Sequence, residues 1–116
     1  QALNIWRALS APPQDTALGF CDMRSIDPAD IVTATGVVAL PGGDEHFEFC
    51  LYRQNAAHRW SYYPDMTRDE AVIFLGYDSR DPNRRVAHCA FDDPTCPPDV
   101  EPRISVEVRA VAFFEE

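Results

Sequence analysis

Arg103-Ile-Ser-Val-Glu-Val-Arg-Ala-Val-Ala-Phe-Phe114 sorts its first eight side chains with a period of two. Arg103, Ser105, Glu107 and Arg109 fall on one side, and Ile104, Val106, Val108 and Ala110 on the other. Only an extended backbone separates polar from apolar residues in this way; a helix would mix them. The stretch therefore predicts a strand that opens with Arg103.

Similar patterns recur toward the N-terminus. An acidic, proline-rich loop (92–102) precedes the strand, and before it Val86-Ala-His-Cys-Ala-Phe91 alternates with His88 in its middle. Residues 71–78 (AVIFLGYD) are strand-like, and 79–85 (SRDPNRR) form a polar loop. In 58–63 (HRWSYY) the alternation puts His58, Trp60 and Tyr62 together, with Pro64 as the stop. Phe47, Phe49 and Leu51 share one face of 47–53, and Glu48, Cys50 and Tyr52 the other. Shorter runs at 2–9, 18–22 and 37–40 complete the set, the last closed by the turn Pro41-Gly-Gly-Asp44. Helical signals are limited to single turns: Asp27 before Pro28, capping toward Asp30, and Thr67-x-x-Glu70 with capping-box spacing. About eight short strands with turn residues between them predict an all-β sandwich or jelly roll.

The length of 116 residues allows one small domain. With 46% hydrophobic residues the chain is too apolar for wholesale disorder. Nineteen acids against ten bases give a net charge of −9, which repels a phosphate backbone and argues against a nucleic-acid partner. No apolar run is long enough for a membrane helix. Cys21, Cys50, Cys89 and Cys96 contain no C-x-x-C pair, so the expectation is buried free thiols in a cytoplasmic protein. The opening QALNIWRAL lacks a Met and reads as the inside of a strand, so a fragment of a longer chain is expected.

Three residues carry the candidate chemistry. His88 lies among small and apolar neighbours, and Arg103 follows fifteen positions later with Ser105 on its face. A neutral imidazole suits divalent iron. A guanidinium fork grips a carboxylate with two hydrogen bonds, and a hydroxyl two residues on can join it. Together they would hold a 2-oxo acid, its far carboxylate on Arg103 and Ser105 and its keto-acid end at a metal beside His88. Taken singly, a strand histidine is more often a hydrogen-bonded structural residue, and an R-x-S-x-E-x-R face more often a solvated one with cross-strand ion pairs. His46-x-Glu48 offers a competing carboxylate–histidine pair, His58 a further candidate ligand, and Trp60, Tyr62 and Phe91 candidate walls for a bound molecule.

A longer string raises the first reading. N-I-W-R-A-L (4–9), Asp15, Phe20-Cys-Asp22 with Arg24-Ser25, His58-Arg-Trp-x-Tyr-Tyr-Pro-x-Met-x-x-Asp-Glu-Ala71, Tyr77-Asp-Ser79 and His88-x-Ala-Phe-Asp-Asp-Pro94 resemble the hydroxylase/desaturase family of fungal and bacterial secondary metabolism. So does Pro102-Arg-x-Ser-x-Glu-x-Arg109. The resemblance covers nearly the whole chain but only the C-terminal half of a typical member. That family is similar to iron(II)/2-oxoglutarate dioxygenases built on a double-stranded β-helix. The resemblance implies an incomplete jelly-roll (cupin-like) fold in which residues 1–116 are the C-terminal portion of one oxygenase domain. It also implies Fe(II) and 2-oxoglutarate as cofactors, His88 as the distal iron ligand, and Arg103 and Ser105 as the 2-oxoglutarate clamp. A small molecule would be the substrate. The other two iron ligands, an H-x-D in the family, are expected upstream of Gln1, and a lysine that many relatives carry is replaced by Leu75. The alternatives are a non-catalytic cupin-like binding module and an accessory subunit of a hydroxylase/methyltransferase pair.

Overall fold

The computed structural model of the chain describes residues 1–114, Pro82 by its backbone alone; Glu115 and Glu116, included in the 1–116 domain expectation, lie outside the described residues. Eight strands run in order: β1 (Ala2–Ala8), β2 (Thr16–Cys21), β3 (Ile31–Leu40), β4 (Gly43–Tyr52), β5 (Trp60–Tyr62), β6 (Val72–Tyr77), β7 (His88–Asp92) and β8 (Ser105–Val111). The only helical segments among the described residues are three short 3₁₀ turns. The strands form two three-stranded antiparallel sheets, β6-β1-β8 and β5-β2-β7, and a separate β3-β4 hairpin. From β5 onward each successive strand changes sheet, the winding of a double-stranded β-helix, or jelly roll. The fold is all-β, as the strand alternation predicts.

The chain divides into two compact units. In the larger one, Gln1–Met23 with the chain from Arg59 onward, alternation turns Trp6 and Ala8 of β1 and Phe74 of β6 inward, where they are buried with Met66. Leu18 and Phe20 of β2 pack against them from the second sheet. The Phe20 and Phe74 rings meet edge to face with centroids 5.2 Å apart, an arrangement that adds to the gain from burial. A β-bulge interrupts the β1–β6 ladder: Ala2 pairs with Tyr77 and Leu3 with Leu75, leaving Gly76 extra.

The smaller unit, Arg24–His58, is the hairpin and its base. Gly43, at φ +126°, supplies the backbone conformation that closes the turn. Pairing Gly36 with Phe47 and Ala34 with Phe49 gathers Val38, Leu40, Phe47, Phe49 and Leu51 on one exposed apolar face. At the base, Asp30 accepts from Asn55 Nδ2 (2.8 Å) and lies 3.1 Å from His58 Nε2.

Several local expectations change. His88 opens β7 rather than lying mid-strand, because the chain crosses between sheets just before it. Val86 N donates to Leu75 O of β6 (2.8 Å), whereas Ala87 O accepts from Cys21 N of β2 (2.9 Å). Arg103 stands outside β8, since its backbone N–H donates to Asp15 Oδ1 (2.8 Å) and not to a neighbouring strand. His58 precedes β5 and does not share its face. Thr67–Glu70 forms a hydrogen-bonded turn, not a helix: Glu70 Oε2 accepts from both Thr67 N and Oγ1, the half of a capping box that needs no helix behind it. Asp27 caps Ala29 N with its side chain, and Asp30 N with its carbonyl. Of the four reduced cysteines only Cys21 is buried; Cys89 is exposed. No helix is long and apolar enough to cross a membrane.

Candidate functional site

His88 pairs with Phe20 on β2 and so shares the inward face of its sheet. Its ring stands 4.6 Å from that of Phe74, on the opposite sheet. Nδ1 lies 3.0 Å from Val86 O, and a carbonyl can only accept, so the Nδ1 position carries the proton. In the neutral ring the lone pair then sits on Nε2, the form in which an imidazole ligates a metal. The backbone carbonyl two residues away thus sets both tautomer and ring orientation.

Arg103 is fixed at two points. Asp15 Oδ1 accepts from its backbone N–H as well as from Thr16 N, and Arg103 Nη1 donates to Thr16 O at 2.8 Å. Its guanidinium carbon lies 5.6 Å from the Trp6 ring centre. The other side of the fork is bare. Arg103 Nε is buried, and neither it nor Nη2 makes a hydrogen bond to any described residue. A buried donor of this strength left unpaired costs on the order of 1–3 kcal/mol or more; Nε of Arg7 and of Arg85 are buried and unpaired too, and Arg103 is the one of the three that lies over the Trp6 ring of the central cluster. An Nε–Nη2 edge has the spacing of the two oxygens of a carboxylate.

Ser105 begins the β8 ladder opposite Ala8, half-buried and on the inward-pointing set of that strand. Further along, Arg109 Nε donates to Glu107 Oε1 (2.9 Å), so these two charges serve each other. His88 and Arg103 reach one core from different directions, His88 through Phe74 and Arg103 through Trp6, both members of the central cluster.

The remaining candidates do not join them. Trp60, Tyr62 and Phe91 line a cavity of about 420 Å³ with Gly19, Ser61 and Cys89. The register pairs Gly19 with Cys89 and Tyr62, and Phe20 with His88, so these aromatics point away from the His88 face. They are walls of an outer groove, not of the interior. Tyr62 Oη also donates to Asp93 Oδ2 (3.1 Å), and this bond to a carboxylate holds its hydroxyl above the ordinary tyrosine range. His46 and Glu48 are exposed on the hairpin. His58 is packed at the hairpin's base against Asp30, a structural role. Among the described residues no three His, Cys, Asp or Glu side chains gather as a metal cluster.

Comparison with known proteins gives this arrangement its context. A family profile described as an oxidoreductase/YMDC permease-like domain matches residues 1–113. The chain belongs to this family. Its relatives include the hydroxylase/desaturase asaB of Aspergillus flavus, 34% identical over 98% of this chain and 55% of the relative. The Fe(II)/2-oxoglutarate-dependent dioxygenase nvfI of Aspergillus novofumigatus is 32% identical over 97% of this chain and 40% of its own length. Among solved structures, the iron and alpha-ketoglutarate-dependent endoperoxidase NvfI superposes with a TM-score of 0.77 at 33% identity, over 93% of this chain and 40% of that one. The chain thus spans about half the length, or less, of the curated relatives it matches.

Two positions that shape the site were given no role by sequence reasoning. Asp15 stood only within the family-like string, though it holds both the start of β2 and the backbone of Arg103. Phe74 read as one more apolar strand residue. The signal for each is tertiary, a contact between segments more than 10 residues apart in the chain.

Proposed function

We propose that this chain is the co-substrate-clamping portion of an iron(II)/2-oxoglutarate-dependent oxygenase that hydroxylates or desaturates a small molecule. Residues 1–116 would form the C-terminal portion of its single jelly-roll domain. The observation that carries the reading is the buried, unpartnered Nε edge of Arg103. A fully apolar ligand would leave that donor unsatisfied; a dicarboxylate satisfies it. The names and similarity of the relatives support the same reading.

In the proposed mechanism Arg103 binds the distal carboxylate of 2-oxoglutarate through Nε and Nη2, and Ser105 donates its hydroxyl to the same group. Trp6 shields the guanidinium from water, which strengthens the ion pair by lowering the local dielectric. His88 presents Nε2 as one iron ligand, held by Val86 O and Phe74, while the whole protein supplies the others. Iron(II), when bound, supplies the redox chemistry between dioxygen and the 2-oxo acid that a protein side chain cannot. The reduced thiols and the net charge of −9 support a cytoplasmic setting without a nucleic-acid partner.

The test is succinate release from 2-oxoglutarate by the whole protein, followed by proton NMR with iron(II) and dioxygen present. Release that requires iron and vanishes in His88→Ala is expected. Binding of 2-oxoglutarate without release would instead make the protein a binding module, and neither binding nor release would overturn the reading.

A further inference from the structure

Where the chain crosses between the sheets, just before His88, each backbone group needs a partner of its own. Val86 N donates to Leu75 O (2.8 Å), and Ala87 O accepts from Cys21 N (2.9 Å). Val86 O lies 3.0 Å from His88 Nδ1. The fourth group, the Ala87 N–H, donates to a side chain instead: the thioether Sδ of Met23, at 3.3 Å. Ala87 is buried, and Met23 stands half-buried in the 3₁₀ turn (Met23–Ser25) that follows β2.

Two of these four groups belong to one peptide plane. The Val86 carbonyl and the Ala87 N–H are the two ends of the same trans peptide, and they point in opposite directions. His88 Nδ1 therefore holds one side of that plane and Met23 Sδ the other. Rotating the plane would carry the carbonyl away from the imidazole, and the bond to sulfur opposes that rotation. Polarisation acts in the same sense, because an acceptor on the N–H strengthens the carbonyl of the same peptide as an acceptor. An apolar side chain of equal size would fill the space but leave a buried donor unpaired, at a cost on the order of 1–3 kcal/mol.

We propose that Met23 is a positioning residue for His88. Its sulfur fixes the Val86–Ala87 peptide and, through the carbonyl of that peptide, the tautomer and orientation of the imidazole. Met23 acts one step behind the Val86 carbonyl, on the peptide and not on the metal. The inference rests on the proposed role of His88 as an iron ligand and adds a link behind it.

The experiment follows the His88 ring in the whole, metal-free protein by nitrogen–proton NMR with the ring neutral, and manganese(II) binding to the same samples by calorimetry. The natural protein should carry the ring proton on Nδ1. Met23→Leu keeps the volume and removes the acceptor. Expected are a His88 ring no longer held in one tautomer, faster exchange of the Ala87 amide, and manganese affinity weakened about 10-fold, the lower end of what losing an outer-shell partner costs. Met23→Gln, whose side-chain carbonyl can accept the same N–H, should return the Nδ1–H signal and most of the affinity. If Met23→Leu lowers the melting temperature yet keeps the natural tautomer and affinity, Met23 serves packing alone and the proposal is overturned. A natural protein whose His88 carries its proton on Nε2 overturns it as well, with no variant needed. A changed tautomer in Met23→Leu, together with no manganese binding by the natural protein, would bring down the iron reading and leave the link between Met23 and the His88 ring standing.

Discussion

The imidazole of His88 and the ring of Phe74 lie 4.6 Å apart at an interplanar angle of 61°, one from each sheet. A candidate metal ligand is thereby braced by the hydrophobic core, so its orientation depends on packing as much as on its hydrogen bond to Val86. Phe74→Ala opens a cavity under the ring and should cost about 3–5 kcal/mol of stability. Phe74→Leu should cost less. Urea unfolding measures both, and the His88 ring signals in NMR should broaden or shift in either variant.

Arg103 tests the clamp. The lysine in Arg103→Lys keeps the charge but not the two-donor edge, so it should not restore binding. Losing charged hydrogen bonds worth about 1.5–3 kcal/mol corresponds to roughly 10- to 150-fold weaker 2-oxoglutarate binding. A titration in which the lysine variant binds as tightly as the natural protein would remove the fork geometry from the account.

Asp15 is expected to act through Arg103 rather than on the ligand. Asp15→Ala removes the acceptor for both Thr16 N and Arg103 N. The expected effects are about 1–2 kcal/mol of lost stability and weaker 2-oxoglutarate binding, with Asp15→Asn partly restoring both because its side-chain oxygen still accepts. Thermal melts with and without the 2-oxo acid separate the two effects.

Asp78 gives a pH signature. The Arg80 backbone N–H first, then Gln1 and Arg84, hold its carboxyl below the ordinary value of 3.8. The unfolded chain therefore takes up a proton at a higher pH than the folded one. The stabilisation is complete above the ordinary value and is lost as pH falls through the lower folded one. Relative to Asp78→Asn, the natural protein should keep a constant advantage near neutrality that shrinks in acid. Urea melts across pH 2–7 would show it.

Much of the fold was legible because strands write their faces into the sequence. The alternation at 103–114 located β8, and ALNIWRA at 2–8 located β1. The limits appear where tertiary bonds end or redirect a strand. Arg103 is drawn out of the ladder by a carboxylate 88 residues away, and the crossing at Val86–Ala87 makes His88 the first residue of its strand. The aromatics of the outer groove were misassigned because period two identifies which residues share a face, not which face is interior. Gly19 and Phe20 are adjacent in sequence yet serve opposite sides.

The most direct test of the central claim is calorimetric titration of 2-oxoglutarate into the whole protein and into its Arg103→Ala variant, with manganese(II) replacing iron to prevent turnover. The account predicts saturable binding to the natural protein, roughly 10- to 150-fold weaker binding to the variant, and competition by other dicarboxylates. Equal affinity in the two proteins would contradict it.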